Sequence, residues 1–243
     1  TYLGALMGAM ALKGRDKVCI LTSPSIASFG NWVEQLVAES TGKDGKGIVP
    51  VVGASVGMPH DYASDRLFIY IKVQNDPGNA ELDPQIRALR EAGHPRLTLL
   101  VKDIYALGGE FFRWEYATAI AGELLGVNPF DEPNVTESKQ NTSRLLESFK
   151  ENGRLPNVTP IAEKNGLKLF ADKHSSGILG ELAAQQNFDK TDMVHLLAAH
   201  LAGTMAGDYY ALLAYLPTTP ETDEALGEVR RRPSTLVARL GVT

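Results

Sequence analysis

The feature that most constrains the fold is an alternation of short β-branched apolar runs with helical segments over the first two-thirds of the chain. Runs of strand length are Val18–Leu21, Ile48–Val52, Leu67–Val73 and Leu97–Val101. Segments with a helical apolar period lie between them, for example Asn31–Thr41 and Leu82–Ala92. Strands separated by helices favour a mostly parallel sheet covered on both faces. We therefore predict a three-layer α/β/α sandwich.

The sequence pattern changes in the last third of the chain. We therefore predict two domains, one over 1–150 and the other over 151–243. The second is expected to be a smaller C-terminal α/β extension, and an incomplete one. Within it we predict a polar loop at Asp172–Ser176, a strand at Asp208–Leu216 and a final helix at Thr222–Arg231.

Composition excludes several classes of partner. The formal net charge of −5 argues against a general nucleic-acid binder. No apolar run approaches the roughly 20 residues that span a bilayer, so no membrane partner is expected. The single cysteine, Cys19, suits a reducing cytoplasm. His195 and His200 are five apart and do not form a helical metal pair, and no nucleotide-binding glycine motif occurs, so we expect neither metal nor cofactor.

A carboxylate at the predicted end of a helix is the main chemical signal. Glu39 is followed by Ser40–Thr41–Gly42–Lys43, and Gln35 stands one turn earlier on the same face. Such a carboxylate could abstract a proton next to a phosphorylated sugar. Spacing leaves open the alternative of a solvated helix end with a glycine cap.

Two motifs resemble phosphoglucose isomerases. The segment Gln35–Lys43 matches every fixed position of the family pattern Q-x-x-x-E-S-(N/T)-G-K, in which the glutamate is the catalytic base. The segment Gly126–Lys139 resembles the signature N-x-F-D-Q-x-x-V-E-x-x-K, whose last lysine is an active-site residue. The chain departs from that signature at Glu132, where the family has glutamine.

The resemblance implies a sugar-isomerase (SIS) domain that interconverts glucose 6-phosphate and fructose 6-phosphate, a reaction of glycolysis and gluconeogenesis. Glu39 would be the base of an enediol mechanism, with Lys139 as the second catalytic residue. Gln35 and Glu132 would contact the substrate. The mechanism uses neither metal nor redox cofactor. We expect Glu39 and Lys139 at the carboxyl-end rim of the parallel sheet, where open α/β sheets bind ligands.

Within this family, the sequence most resembles the isomerase half of bifunctional transaldolase/phosphoglucose isomerases. The family's phosphate pocket belongs to an earlier isomerase domain, which we expect as a partner in the same parent chain, together with a homodimer contact. We expect the isolated piece to be inactive. A non-catalytic sugar-phosphate-binding domain and a mannose-6-phosphate isomerase are the alternatives. His60 is interpreted as an ordinary loop histidine, with opening of the sugar ring as its alternative role.

Overall fold

The computed structural model describes residues 1–205 and 208–239, and its contacts divide the chain into two compact units. The first unit is Thr1–Lys139 and the second is Gln140–Thr243. The domain boundary predicted after residue 150 falls within helix α5, Pro133–Asn152, which begins in the first unit and ends in the second.

The first unit is built on a four-stranded parallel sheet with the order β2-β1-β3-β4. The first residues of β1 pair with the first residues of both neighbours, Lys17 with Val49 and with Arg66. All four predicted strands are confirmed to within one or two residues. They are β1 Lys17–Thr22, β2 Val49–Val51, β3 Arg66–Val73 and β4 Arg96–Val101.

Helices cover both faces of this sheet. Alternate residues of a strand point to opposite faces, so Ile69 and Phe68 of β3 belong to different cores. The first core joins α1, α2 and α4 to one face, and the second joins α3 to the other. The predicted α/β/α sandwich is therefore confirmed. These helices are α1 Tyr2–Ala11, α2 Ala27–Thr41, α3 Asn79–Glu91 and α4 Leu107–Leu125.

Two glycines allow α1 and α4 to pack closely. A Cβ added at Gly4 would stand 2.2 Å from the carbonyl oxygen of Ala117, and one at Gly8 would stand 2.9 Å from Leu124 Cβ. Neither distance leaves room for a side chain. The small residues of α1 thus bring it against α4, and Trp114 of α4 is completely buried.

The second unit has its own small core, formed by a hairpin and two helices. The hairpin turn is Asn165–Gly166, where both residues have positive φ, 53° and 78°, as a tight two-residue turn requires. Ala183, Leu196 and Ala199 are buried in this core. The elements of this unit are β5 Ala162–Lys164, β6 Leu167–Leu169, α6 Lys173–Gln185, α7 Met193–Ala202 and α8 Pro220–Arg239.

Two predictions for the second unit are wrong, and the predicted final helix is confirmed as part of α8. Asp208–Leu216 forms no strand, because none of the strands in residues 1–205 and 208–239 pairs with it, and Leu213 and Tyr215 there are 79% and 98% exposed. The predicted loop Asp172–Ser176 begins α6, since the Asp172 carboxylate caps the backbone N–H groups of His174 and Ser175 at 2.8 and 3.0 Å.

Within the described ranges, no helix is both long and apolar enough to cross a membrane.

Candidate functional site

The last turns of α2 carry the two polar residues of the first motif. The helix buries Phe29, Val33 and Val37, which recur at i, i+4 and i+8. Gln35 and Glu39 lie on the exposed side, one turn apart, and the Gln35 amide nitrogen is 3.4 Å from Glu39 Oε1. The carboxylate is thus open to solvent and to a ligand.

Thr41 and Gly42 end this helix in a defined way. The Thr41 hydroxyl is buried, donates to the carbonyl of Val37 at 2.7 Å and accepts from the N–H of Ile48 at 3.0 Å. A Cβ at Gly42 would stand 2.8 Å from the carbonyl oxygen of Ala38. The threonine and glycine of the motif therefore fix the turn that follows Glu39 and join it to β2.

Lys43 connects the first motif to the second. Its side chain is only 5% exposed, although lysine is seldom buried. The ammonium group donates to the carbonyl oxygens of Asn128 and Asp131 and to the Asp131 carboxylate. This ammonium holds the pKa of the Asp131 carboxyl below its usual value. Three acceptors thus satisfy the buried charge, as burial of an ammonium requires.

The second motif lies in the connection from α4 to α5. Gly126 ends α4 in the left-handed conformation, with φ 69°. Asn128 stabilises the next turn, since its side chain accepts from the N–H of Phe130 and donates to Asp131, both at 3.1 Å. A second tie between the motifs comes from Asn134, whose amide donates to the carbonyl of Gly42 at 3.0 Å.

Lys139 folds back toward the beginning of α5. Its ammonium lies 3.4 Å from Glu132 Oε1, and both side chains are largely exposed, 70% and 58%. A solvent-exposed pair at this distance contributes little to stability. The lysine is therefore available to another anionic or polar group.

The structure corrects the expected position of this site in the sheet. We predicted the carboxyl-end rim, but α2 runs antiparallel to β1 and ends next to the start of β2, where the Thr41 hydroxyl meets the N–H of Ile48. Glu39 consequently lies at the amino-end edge of the strands. The bond from Asn134 to Gly42 brings the start of α5 to the same edge.

The carboxyl-end edge holds a different cleft, of about 360 Å³, lined by residues that follow β1, β3 and β4. The Asp76 carboxylate closes part of it by accepting from the N–H groups of Ser25 and Gly78 at 3.0 and 2.9 Å. The Ser25 side chain, together with these two N–H groups, lowers the pKa of Asp76. An internal carboxylate thus already occupies the donors that an anionic ligand would use there.

His60 lies apart from the four predicted site residues. It belongs to an exposed turn, Pro59–Asp61, and its Nε2 is 3.6 Å from Asp61 Oδ1. No hydrogen bond or ion pair among the described residues joins it to Glu39 or Lys139. Both roles considered for His60 remain predictions.

Lys43, Asp131 and Asn134 are the residues to which sequence reasoning assigned no role. All three stand within the two motifs, and they hold the motif segments together. Over 1–205 and 208–239, no group of three or more histidine, cysteine or acidic side chains is arranged to hold a metal ion. The side chains that the site offers are two carboxylates, an amide and a lysine, which suit proton transfer and hydrogen bonding.

Comparison with known proteins points to one enzyme. The chain is 31% identical to a glucose-6-phosphate isomerase of Symbiobacterium thermophilum over 177 residues, covering 58% of this chain and 40% of that protein. It is 30% identical to the isomerase of Alkaliphilus metalliredigens over 177 residues, covering 57% and 39%. The resemblance to phosphoglucose isomerases is confirmed. The chain spans about 40% of the length of these curated isomerases.

A solved structure supports the fold independently. A hypothetical protein of Thermus thermophilus superposes with a TM-score of 0.52 at 23% identity and covers 59% of this chain and 44% of its own. That likeness concerns the fold alone. No protein-family model matches the chain.

Proposed function

We propose that this chain supplies the base-bearing part of the active site of a glucose-6-phosphate isomerase. The observation that carries the proposal is the junction of the two motifs. Lys43 and Asn134 tie the turn after Glu39 to the segment that leads to Lys139. The two segments are far apart in the sequence, and two ordinary solvated helix termini would not require these contacts between them.

The proposed reaction moves one proton between two carbons of the open-chain sugar phosphate. The Glu39 carboxylate takes the C2 proton of glucose 6-phosphate, and the electron pair of that C–H bond forms the enediolate. The hydroxyl proton on O2 passes to O1 of the enediolate, and the same carboxyl group returns its proton to C1, which gives the C2 ketone of fructose 6-phosphate. Gln35 contacts the substrate, and Lys139 assists near the ring oxygen. Glu132, as an ionised carboxylate, can only accept hydrogen bonds there.

The exposure of the site suggests that other walls complete it. Gln35, Glu39, Glu132 and Lys139 are all exposed in this chain. An enediolate needs donors that stabilise its charge and a surface that excludes water. We propose that these come from a further isomerase domain of the full-length protein and from a second copy in a homodimer. We also propose, from the resemblance of its sequence to that branch, that the full-length protein belongs to the transaldolase-fused isomerases.

The deciding experiment replaces Glu39 by glutamine in the full-length protein. The substitution keeps size and hydrogen bonding but removes the base, so kcat should fall ~10²–10⁴-fold. KM should change little, because a base acts chiefly in the transition state. Glu34→Gln is the matched control, since Glu34 is exposed on the same helix and the charge change is identical.

Exchange of solvent tritium into the sugar phosphates should fall in parallel with kcat, because the same proton is moved. Near-normal turnover of Glu39→Gln would disprove the assignment of the base. A wild-type protein that binds sugar phosphate without turning it over would favour the non-catalytic binding domain. A higher kcat/KM for mannose 6-phosphate than for glucose 6-phosphate would favour the mannose-6-phosphate isomerase.

A further inference from the structure

A second cleft lies on the face of the sheet opposite α2, between α3 and strands β3 and β4. Its volume is about 210 Å³. The strands contribute Tyr70, Lys72, Arg96 and Thr98, and α3 contributes Asp83, Ile86, Arg87 and Arg90. Because α2 packs on the other face, this cleft is distinct from the surface that carries Glu39.

The walls of the cleft are strongly cationic. Lys72 is the only one of its four basic residues with an ion pair in the described part of the chain, and both carboxylate oxygens of Asp83 accept from it, at 2.8 and 2.7 Å. Arg87 and Arg90 project from successive turns of α3. Three guanidinium groups therefore gather without a carboxylate partner, in a chain whose formal net charge is −5.

Arg96 is held in place at the start of β4. Its Nη1 lies 3.2 Å from the hydroxyl of Thr98, whereas its Nε is buried and has no hydrogen-bond partner. A buried donor without an acceptor costs free energy, so binding of an acceptor at this position would be favourable. A guanidinium group presents several donors in a fixed fork that matches the oxygens of a phosphate.

Tyr70 adds no negative charge to the cleft. Burial, together with the charge of Asp83, raises its pKa to about 12. The phenol therefore stays protonated at neutral pH, and its hydroxyl donates to Asn79 Oδ1 at 2.8 Å. Asp83 is thus the one anionic group among the lining residues, and Lys72 already neutralises it.

We propose that this cleft binds a small phosphate-bearing anion, held by Arg87, Arg90 and Arg96. The arginines provide charge-assisted donors for a doubly charged group, and the limited volume selects a small molecule. A long polyanion such as a nucleic acid is disfavoured, because the negative net charge of the chain would repel its remaining phosphates. The site lies outside the proposed isomerase site and does not depend on it.

The test is calorimetric titration of the full-length protein with pyrophosphate, and separately with inorganic phosphate, at low salt. Arg96→Gln and Arg87→Gln should each weaken pyrophosphate binding about tenfold, the usual effect of losing a charge-assisted contact. Arg87 is exposed, so its variant should fold even if Arg96→Gln does not. Arg87→Lys keeps the charge but not the fork and should restore binding only in part.

Arg144→Gln is the control for charge, because Arg144 is exposed on α5 and does not line the cleft, and its Nη1 donates to the nearby Asn141 Oδ1 at 3.3 Å. It should bind pyrophosphate like the wild type. Equal pyrophosphate affinity in Arg87→Gln, Arg144→Gln and the wild type would overturn the proposal, and so would absence of binding to any of them. Tighter binding of a short oligonucleotide, lost in Arg87→Gln, would overturn it in favour of a nucleic-acid surface.

Discussion

The ammonium group of Lys43 hydrogen-bonds the carboxylate of Asp131, although the two residues are 88 positions apart in the chain. The lysine is almost fully buried, whereas Asp131 remains half exposed. The pair lowers the pKa of Asp131 and anchors the connection between α4 and α5 beside the end of α2. We therefore expect Lys43 to position Glu39 and Lys139 relative to each other.

Replacement of Lys43 by methionine should loosen this junction. The change removes the charge-assisted bonds to Asp131 and to the carbonyl of Asn128, and one hydrogen bond from a buried charged group to a backbone carbonyl contributes ~1.5–3 kcal/mol to stability. We expect urea unfolding to show a loss of that order. We also expect kcat of the full-length protein to fall roughly 10–10²-fold, because small displacements of catalytic groups are costly.

Lys46→Met is the control for the Lys43 variant. Lys46 is exposed, so water competes with its one bond to the carbonyl of Leu125, at 3.0 Å, and its loss should cost less stability than the loss of buried Lys43 and leave kcat nearly unchanged. Equal effects of the two substitutions on kcat would contradict a positioning role for Lys43.

The sheet could be predicted from the sequence because each strand is a short apolar run that can be recognised without information from elsewhere in the chain. The edge that carries the site could not be taken from the rule that open α/β sheets bind ligands at their carboxyl end. That rule concerns the loops that follow strands, whereas Glu39 ends a helix that has already returned to the opposite edge. The role of Lys43 was also missed, since its acceptors lie in a distant segment.

The errors in the second unit have a related cause. The apolar pattern of Asp208–Leu216 is typical of a strand, but a strand forms only where another strand offers its backbone groups. None does so for this segment in the described part of the chain. Helix α6 was missed because Asp172 and Ser175 give its first turn the composition of a loop, although the same residues are typical helix caps.

Glu132→Gln tests the departure from the family signature that falls on a proposed substrate contact. Glutamine removes the exposed ion pair with Lys139, which should change the free energy of unfolding by less than ~1 kcal/mol. It also removes a negative charge from a site proposed to bind a sugar phosphate. A unit charge ~8 Å away in water repels by about 0.5 kcal/mol, so KM should fall roughly twofold. Steady-state kinetics on the full-length protein measures this.

Glu137→Gln provides the comparison for Glu132, because Glu137 is exposed on α5, five residues further along the chain, and the charge change is equal. Its KM should stay close to the wild-type value. A rise in KM for Glu132→Gln alone would indicate that the carboxylate accepts a hydrogen bond from the substrate that the amide does not replace.

Glu110 makes the stability of the first unit depend on pH. Its side chain is 5% exposed, and Oε2 is buried without a hydrogen-bond partner, although Arg113 pairs with Oε1 at 3.0 Å. Burial raises the pKa of this carboxyl above its usual value, and Arg113 opposes the shift only in part. The stability linked to protonated Glu110 is therefore fully present below the pKa of the unfolded chain, and it is lost as pH rises through the raised pKa of the folded state.

Glu110→Gln should consequently raise Tm at pH 7 and leave it nearly unchanged below the ordinary glutamate pKa of about 4.3, where the wild-type carboxyl is protonated in both states. Each ~1 kcal/mol gained would shift Tm by about 2–4 °C in a chain of this size. Glu123→Gln, on the exposed side of the same helix, should show no such difference between the two pH values. Thermal unfolding at pH 3 and pH 7 distinguishes the variants. A lower Tm for Glu110→Gln at pH 7 would mean that the pair with Arg113 outweighs the cost of burying the charge.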